Sequence, residues 1–332
     1  MKIAFFEIKP WEKRYIRRKL KGHTLTFEEG PLTEETLASA RSAEAISVFI
    51  HSQVDKKILS SCKKLRCVVT RSTGFDHIDT KYCKKQGISV CNVPSYGENT
   101  VAEHTFALIL SLSRNIHRSY VRTRRGNYSI EGLTGFDLRG KTLGIIGGGH
   151  IGMHVARMAK GFSMDVLVYD VSPRHFLDEV IGFRYEKLEE ILKGSDIVSI
   201  HVPYMKATHH LINKDTLAMM REGAILINTS RGGIVDTDAL YQALADKKLG
   251  GAGLDVIEGE ELIYEEKQLL DNEMNPEKWR QIVRDHKIFA MDNVVFTPHN
   301  AFNSKEALDR ILDTTVQNIK GFARKDPENL VG

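Results

Sequence analysis

The chain has 332 residues, 42% of them apolar and 27% charged, with a net charge of +4. That length exceeds one small core and suits about two domains of ordinary size, and no apolar run approaches the roughly 20 residues that cross a bilayer, so a membrane protein is not expected. The small basic surplus, carried partly by Lys13 to Lys21 and Arg114 to Arg125, has a single aromatic in each run, Tyr15 and Tyr120, too few for a base-stacking surface, which favours solvated helix faces over a nucleic-acid surface.

The N-terminal MKIAFFEIKPWEKR carries its charges after a short apolar run, the reverse of a secretory signal, so a cytoplasmic location is expected. Apolar KIAFFEI, LTFEE, AISVFI, LRCVVT and SVCNV then alternate with WEKRYIRRKL, TEETLASA, DKKILSSC and DTKYCKKQG. This βαβα rhythm predicts a parallel sheet. Cys62, Cys67, Cys83 and Cys91 lack C-x-x-C spacing and read as reduced core thiols; no metal is expected. Asn92, Pro94, Ser95, Gly97 and Asn99 break the pattern, after which a long helix begins near Thr100, with Val101, Phe106, Leu108, Ile109, Leu112 and Ile116 on one face.

From Lys141 the rhythm restarts, with strand signals in TLGII, DVLVYD, DIVSIHV, AILIN, GAGLDV and NVVF. A second doubly wound domain is the simplest account. The last segment, SKEALDRILDTTVQNIKGFA, is an amphipathic helix beyond the needs of that second sheet and is expected to pack on the first. The expected division is therefore 1–99 plus 300–332, discontinuous, and 100–299. The acidic stretch Glu258 to Glu273 reads as an inserted surface segment.

Gly147, Gly149 and Gly152 form a G-x-G-x-x-G that follows the strand TLGII and opens a helix at His150 and Ile151. In that context the glycines serve a tight turn, a close approach to pyrophosphate and helix packing, with phosphates at the helix N-terminus. Asp170 ends the next strand, where a carboxylate accepts from both ribose hydroxyls and repels a 2′-phosphate. NAD is thus expected over NADP, with Arg174 the one feature pulling the other way.

Ligands of an open parallel sheet bind beyond the carboxyl ends of its strands. Those ends carry Val202 and Pro203, then Thr229, Ser230 and Arg231, then Asp255 with Glu260 five residues on, then Pro298 and His299. A 2-oxo acid needs a guanidinium fork for its carboxylate and a proton donor for its ketone oxygen. Arg231 and His299 supply these, and Glu260 holds the imidazole in one orientation.

The ordered set G-x-G-x-x-G, Asp170, N-T-S-R-G-G, G-L-D-V-x-x-x-E and T-P-H resembles the D-isomer-specific 2-hydroxyacid dehydrogenases over essentially the whole chain. The resemblance implies a flavodoxin-like substrate domain beside a Rossmann NAD-binding domain, with catalytic roles for Arg231, Glu260 and His299. It places His150, Ile151, Asp170, Val202, Pro203, Thr208, Thr229 and Asp255 along the NAD site. RSTGFDHID and NVPSYGENTVAEHT are similar to the D-lactate dehydrogenase branch. There Ser72, Thr73 and Gly74 would bind the substrate carboxylate through backbone N–H groups, with Tyr96 and Phe302 in the pocket. His51 departs from the aromatic residue of the best-known D-lactate enzymes. Formate dehydrogenases have Gln where Glu260 stands, so that reaction is not expected. Relatives acting on hydroxypyruvate, glyoxylate or phosphoglycerate share the motifs. A dinucleotide-sensing regulatory protein is the reading of another class, and no extra module for recruiting a partner is visible. A homodimer through the helix after Asn99 is also implied.

Overall fold

In the computed structural model residues 1–260 and 276–331 are described, so the acidic segment expected as an insertion lies, beyond Glu260, outside the described residues. The chain divides into two compact units, Met1–Tyr96 with Asn303–Gly332, and Gly97–Phe302.

The first unit is built on strands β1 (Lys2–Phe5), β2 (Thr24–Phe27), β3 (Ala45–Val48), β4 (Cys67–Thr70) and β5 (Ser89–Cys91), all parallel, in the order β2-β1-β3-β4-β5. Every residue of AISV and CVVT is buried, as expected of strands covered on both faces. Alternate side chains feed two cores. Ala4, Ile46, Val68 and Val90 pack with Ile58 and Leu59 of helix α2 (Lys56–Ser61) and with Cys83 of α3 (Thr80–Lys85). On the other face Ile3, Phe5, Ala45 and Val69 pack with Ile16 of α1 (Pro10–Lys19) and with Leu312, Val316 and Ile319 of the final helix, Lys305–Ala323. All four cysteines are buried and free. The segment TEETLASA forms only a single 3-10 turn, Leu37–Ser39. There the Thr36 hydroxyl accepts from Thr33 N and donates to Pro31 O, offering the backbone an alternative to helix.

The second unit carries seven parallel strands. They are β6 (Thr142–Ile146), β7 (Asp165–Tyr169), β8 (Arg184–Tyr185), β9 (Ile197–Ile200), β10 (Ala224–Asn228), β11 (Leu249–Leu254) and β12 (Val294–Phe296), ordered β12-β11-β10-β9-β6-β7-β8. The switch in winding falls between β6 and β9, which is where such sheets place their ligand crevice. The long helix expected after Asn99 is two helices, α4 (Glu98–Ser113) and α5 (Ile116–Arg124). Asn115 separates them in a left-handed conformation at φ 51°, its amide donating to the carbonyls of Leu133 and Thr134. Ile116 therefore leaves the face it was assigned and is 53% exposed. Three elements had no clear sequence signal: β8, helix α7 (His175–Ile181) and helix α11 (Pro276–Phe289). The remaining helices of this unit are α6 (His150–Gly161), α8 (Leu188–Gly194), α9 (Lys214–Met219) and α10 (Thr237–Ala245), and the final helix is α12. Among the described residues no helix is long and apolar enough to cross a membrane.

Candidate active site

Each glycine of the fingerprint has a distinct physical reason. Gly147 sits at φ 108°, and a Cβ there would lie 2.6 Å from His201 O across the winding switch. A Cβ on Gly152 would lie 2.1 Å from Gly147 O, so the helix can pack only without one. A Cβ on Gly149 would meet nothing within 4 Å. No protein neighbour explains Gly149, whereas a ligand approaching the backbone does. It is also the N-cap of α6 and offers no side-chain cap, leaving first-turn N–H groups to meet an anion beside His150 and Ile151.

Asp170 follows β7, and its oxygens accept from Gly148 N at 2.7 Å and Ser172 N at 2.8 Å. The carboxylate thus fixes the glycine turn, and its remaining lone pairs are what a ribose could use. These features fit a dinucleotide. Val202 and Pro203 leave the end of β9, and Thr208 closes their loop by donating to Pro203 O at 2.7 Å and accepting from Met205 N at 2.9 Å. His201 bonds Ser199 Oγ through Nε2 at 2.8 Å, while its Nδ1 is sealed without a partner among the described residues. Burial pushes this imidazole down to a pKa of about 3, so it stays neutral.

After β10, the Thr229 hydroxyl meets that of Thr105 at 3.1 Å, and Ser230 Oγ donates to Ile200 O at 2.8 Å. Arg231 Nη1 donates to Ser230 O at 2.7 Å, and Asn228 Nδ2 holds Arg231 O at 3.0 Å.

His299 follows β12 in a left-handed conformation at φ 49°, a geometry that a non-glycine residue adopts at a cost of order 1–3 kcal/mol. Asp255 holds it there. This carboxylate, 1% exposed, accepts from Thr297 Oγ1 at 2.5 Å, Asn300 N at 3.0 Å and Ala301 N at 2.9 Å. The Asp255 carbonyl also accepts from His299 N at 2.9 Å. The Asp255 carboxylate, expected along the dinucleotide, braces the loop that carries His299. His299 Nδ1 lies 2.6 Å from Glu260 Oε1. With Glu260 ionised, Nδ1 is the donor and Nε2 is left to exchange a proton with a ligand. Glu260 Oε2 is buried with no partner among the described residues. Glu258, two residues earlier, is committed to His210 at 2.8 Å.

The sequence reading missed His104, whose Nε2 lies 2.9 Å from Thr297 Oγ1 and 3.4 Å from Asp255 Oδ1. It also missed the His210–Glu258 pair. Both are meetings of residues far apart in sequence, which periodicity does not reveal. Phe302, half-buried, closes the second unit.

In the first unit, Ser72 is 2% exposed and its hydroxyl donates to Gly74 O at 2.7 Å, while Thr73 Oγ1 donates to Val93 O at 2.9 Å. Among the described residues no protein acceptor takes the N–H groups of Ser72, Thr73 and Gly74, the condition of an anion-binding loop. Tyr96 O accepts from Arg310. His51 is exposed, its backbone N–H held by Glu7 Oε1 at 2.9 Å.

Residues 106–301 match the family model described as the D-isomer specific 2-hydroxyacid dehydrogenase, NAD binding domain. The chain is 36% identical to the D-lactate dehydrogenase of Escherichia coli over the full length of both. It is 35% identical to the glyoxylate reductase of Korarchaeum cryptofilum, over 92% of this chain and 87% of that protein. Among solved structures, a D-lactate dehydrogenase from Aquifex aeolicus complexed with NAD and lactic acid superposes with a TM-score of 0.91. Its identity is 39%, over 99% of this chain and 98% of that one.

Proposed function

The chain belongs to the D-isomer-specific 2-hydroxyacid dehydrogenases, NAD-binding oxidoreductases, and from that premise we propose that it reduces pyruvate, or a 2-oxo acid of similar size, to the D-2-hydroxy acid. Bound NADH supplies the hydride. Arg231 binds the substrate carboxylate and polarises the ketone, and His299 Nε2 delivers the proton to the oxygen that becomes the hydroxyl. Glu260 keeps the imidazole in the tautomer and orientation this requires, and Asp255 keeps the loop. In the reverse direction neutral His299 takes the hydroxyl proton. Ser72 to Gly74, Tyr96, His51 and Phe302 are assigned to the substrate, and the fingerprint of the second unit is assigned to the dinucleotide. A homodimer is part of the proposal.

The observation that carries this reading is the 2.6 Å contact between His299 Nδ1 and Glu260, on a loop tied down by a buried carboxylate. Polar His51 favours one second reading, a substrate with a small or polar side chain such as glyoxylate or hydroxypyruvate. The test is NADH oxidation across 2-oxo acids of rising size with chiral analysis of the product. A D product with pyruvate, and a loss of roughly 10²–10⁴ in His299→Gln, is expected. An L product, or no turnover across the series, overturns the proposal.

A further inference from the structure

The first sheet changes its direction of winding between β1 and β3, and at such a switch the segments leaving the two strands part to open a crevice. In this chain one side chain bridges the two segments. Glu7, two residues past β1, has a left-handed backbone at φ 53°. Its carboxylate reaches the segment that follows β3. Oε2 accepts from Phe49 N at 2.9 Å and from the Ser52 hydroxyl, and Oε1 accepts from His51 N at 2.9 Å. Ser52, itself fully buried, passes the connection on by accepting from Leu32 N at 2.9 Å.

The strained backbone of Glu7 is held in its turn. Its N–H donates to Gly30 O at 2.8 Å. Its carbonyl accepts at 2.8 Å from Nη2 of Arg71, a guanidinium 2% exposed that also bonds Phe6 O and Ser47 Oγ. Arg71 thus locks the end of β1, and Glu7 locks the loop after β3. Three donors on one carboxylate are far more than a surface glutamate needs. Each of them belongs to the four-residue loop that carries His51.

We propose that Glu7 is a positioning residue that sets the shape of the Phe49–Ser52 loop and, through His51, the size and polarity of side chain the enzyme accepts. This rests on the reading of His51 as a pocket residue. Glu7 does not bind the substrate: both of its oxygens are engaged, and a second carboxylate beside a 2-oxo acid would repel it. Removing the clamp releases the loop without touching Arg231, Glu260 or His299. The effect therefore falls on KM and grows with the substrate side chain.

Glu7→Gln keeps the volume but loses an acceptor and the charge, and Ser52→Ala removes one donor while leaving the carboxylate in place. In both variants amide hydrogen exchange over residues 49–52 is expected to accelerate, with β3 and β4 unchanged. The ratio of KM for longer 2-oxo acids to KM for glyoxylate should shift roughly fivefold or more in Glu7→Gln, and less in Ser52→Ala, with kcat changing little. Exchange at wild-type rates, or faster exchange with unaltered KM ratios, overturns the inference. A wild type that reduces no member of the series sinks the parent reading of function. The exchange data then still decide whether Glu7 holds the loop.

Discussion

Two ionisable residues of the second unit, half-buried His201 and buried Asp285, pull its stability in opposite directions with pH. Burial lowers His201 from the ordinary 6.5 to about 3. The unfolded chain therefore binds a proton in this window that the folded chain does not, and stability is lost as pH falls from 6.5 toward 3. Asp285 is raised from 3.8 to about 6, chiefly by burial and against the pull of Arg284. The folded chain then holds the extra proton, so stability falls as pH rises from 3.8 to 6. His201→Asn, which retains a partner for Ser199, should flatten the acid limb of a Tm-against-pH curve, by up to roughly 3 kcal/mol at pH 4. Asp285→Asn should raise Tm at pH 7 and leave the acid limb steeper than in wild type. A His201→Asn curve parallel to wild type would remove this residue from the account. At the same scale, His299 and Glu260 could be paired from sequence because both follow strands of one parallel sheet. The hydrogen-bond partners of Asp255 could not be read, since the target of a carboxylate depends on the path of residues 297–301, set only when β12 docks beside β11.

The fingerprint element separates two roles that its sequence merges. A methyl group on Gly152 collides with backbone at 2.1 Å, and nothing there can give way. Gly152→Ala should therefore lower Tm or prevent folding. Gly149 has an ordinary φ of −73° and open space before it. Gly149→Ala should keep the wild-type Tm and weaken NADH binding, measured by fluorescence titration. If Gly149→Ala binds NADH as tightly as wild type, the phosphates do not lie against it. Elements of this kind were legible because local signals agreed: a buried apolar strand, a glycine turn and an amphipathic helix in succession. Others were hidden by weak local signals. β8 is two residues, Arg184 and Tyr185, with no apolar alternation to detect. The break at Asn115 depends on carbonyls of Leu133 and Thr134, supplied from a later loop.

At the scale of the whole molecule, α5 is a helix without a core, a condition it shares with α7. None of its residues is buried, although Ile116, Tyr120 and Val121 give it an apolar stripe, exposed by 53%, 61% and 46%. The segment after it adds Tyr128 and Ile130, exposed by 80% and 85%. A short helix gains most of its stability by burying one face, and five large apolar side chains so close in sequence are unusual on the free surface of a monomer. Neither fact concerns the active site, so catalysis does not explain them. The proposed homodimer does: a second copy of the chain would cover this stretch across a two-fold axis, each copy offering the same patch. Sedimentation equilibrium should then give twice the mass of 37.5 kDa. Tyr120→Glu combined with Ile130→Asp should shift the population to monomer and lower Tm, because the exposed helix loses that cover. Sedimentation of the wild type as a monomer at micromolar concentration would exclude this interface. A dimer that survives both charges would place the contact elsewhere on the second unit, leaving the exposure of α5 without a cause.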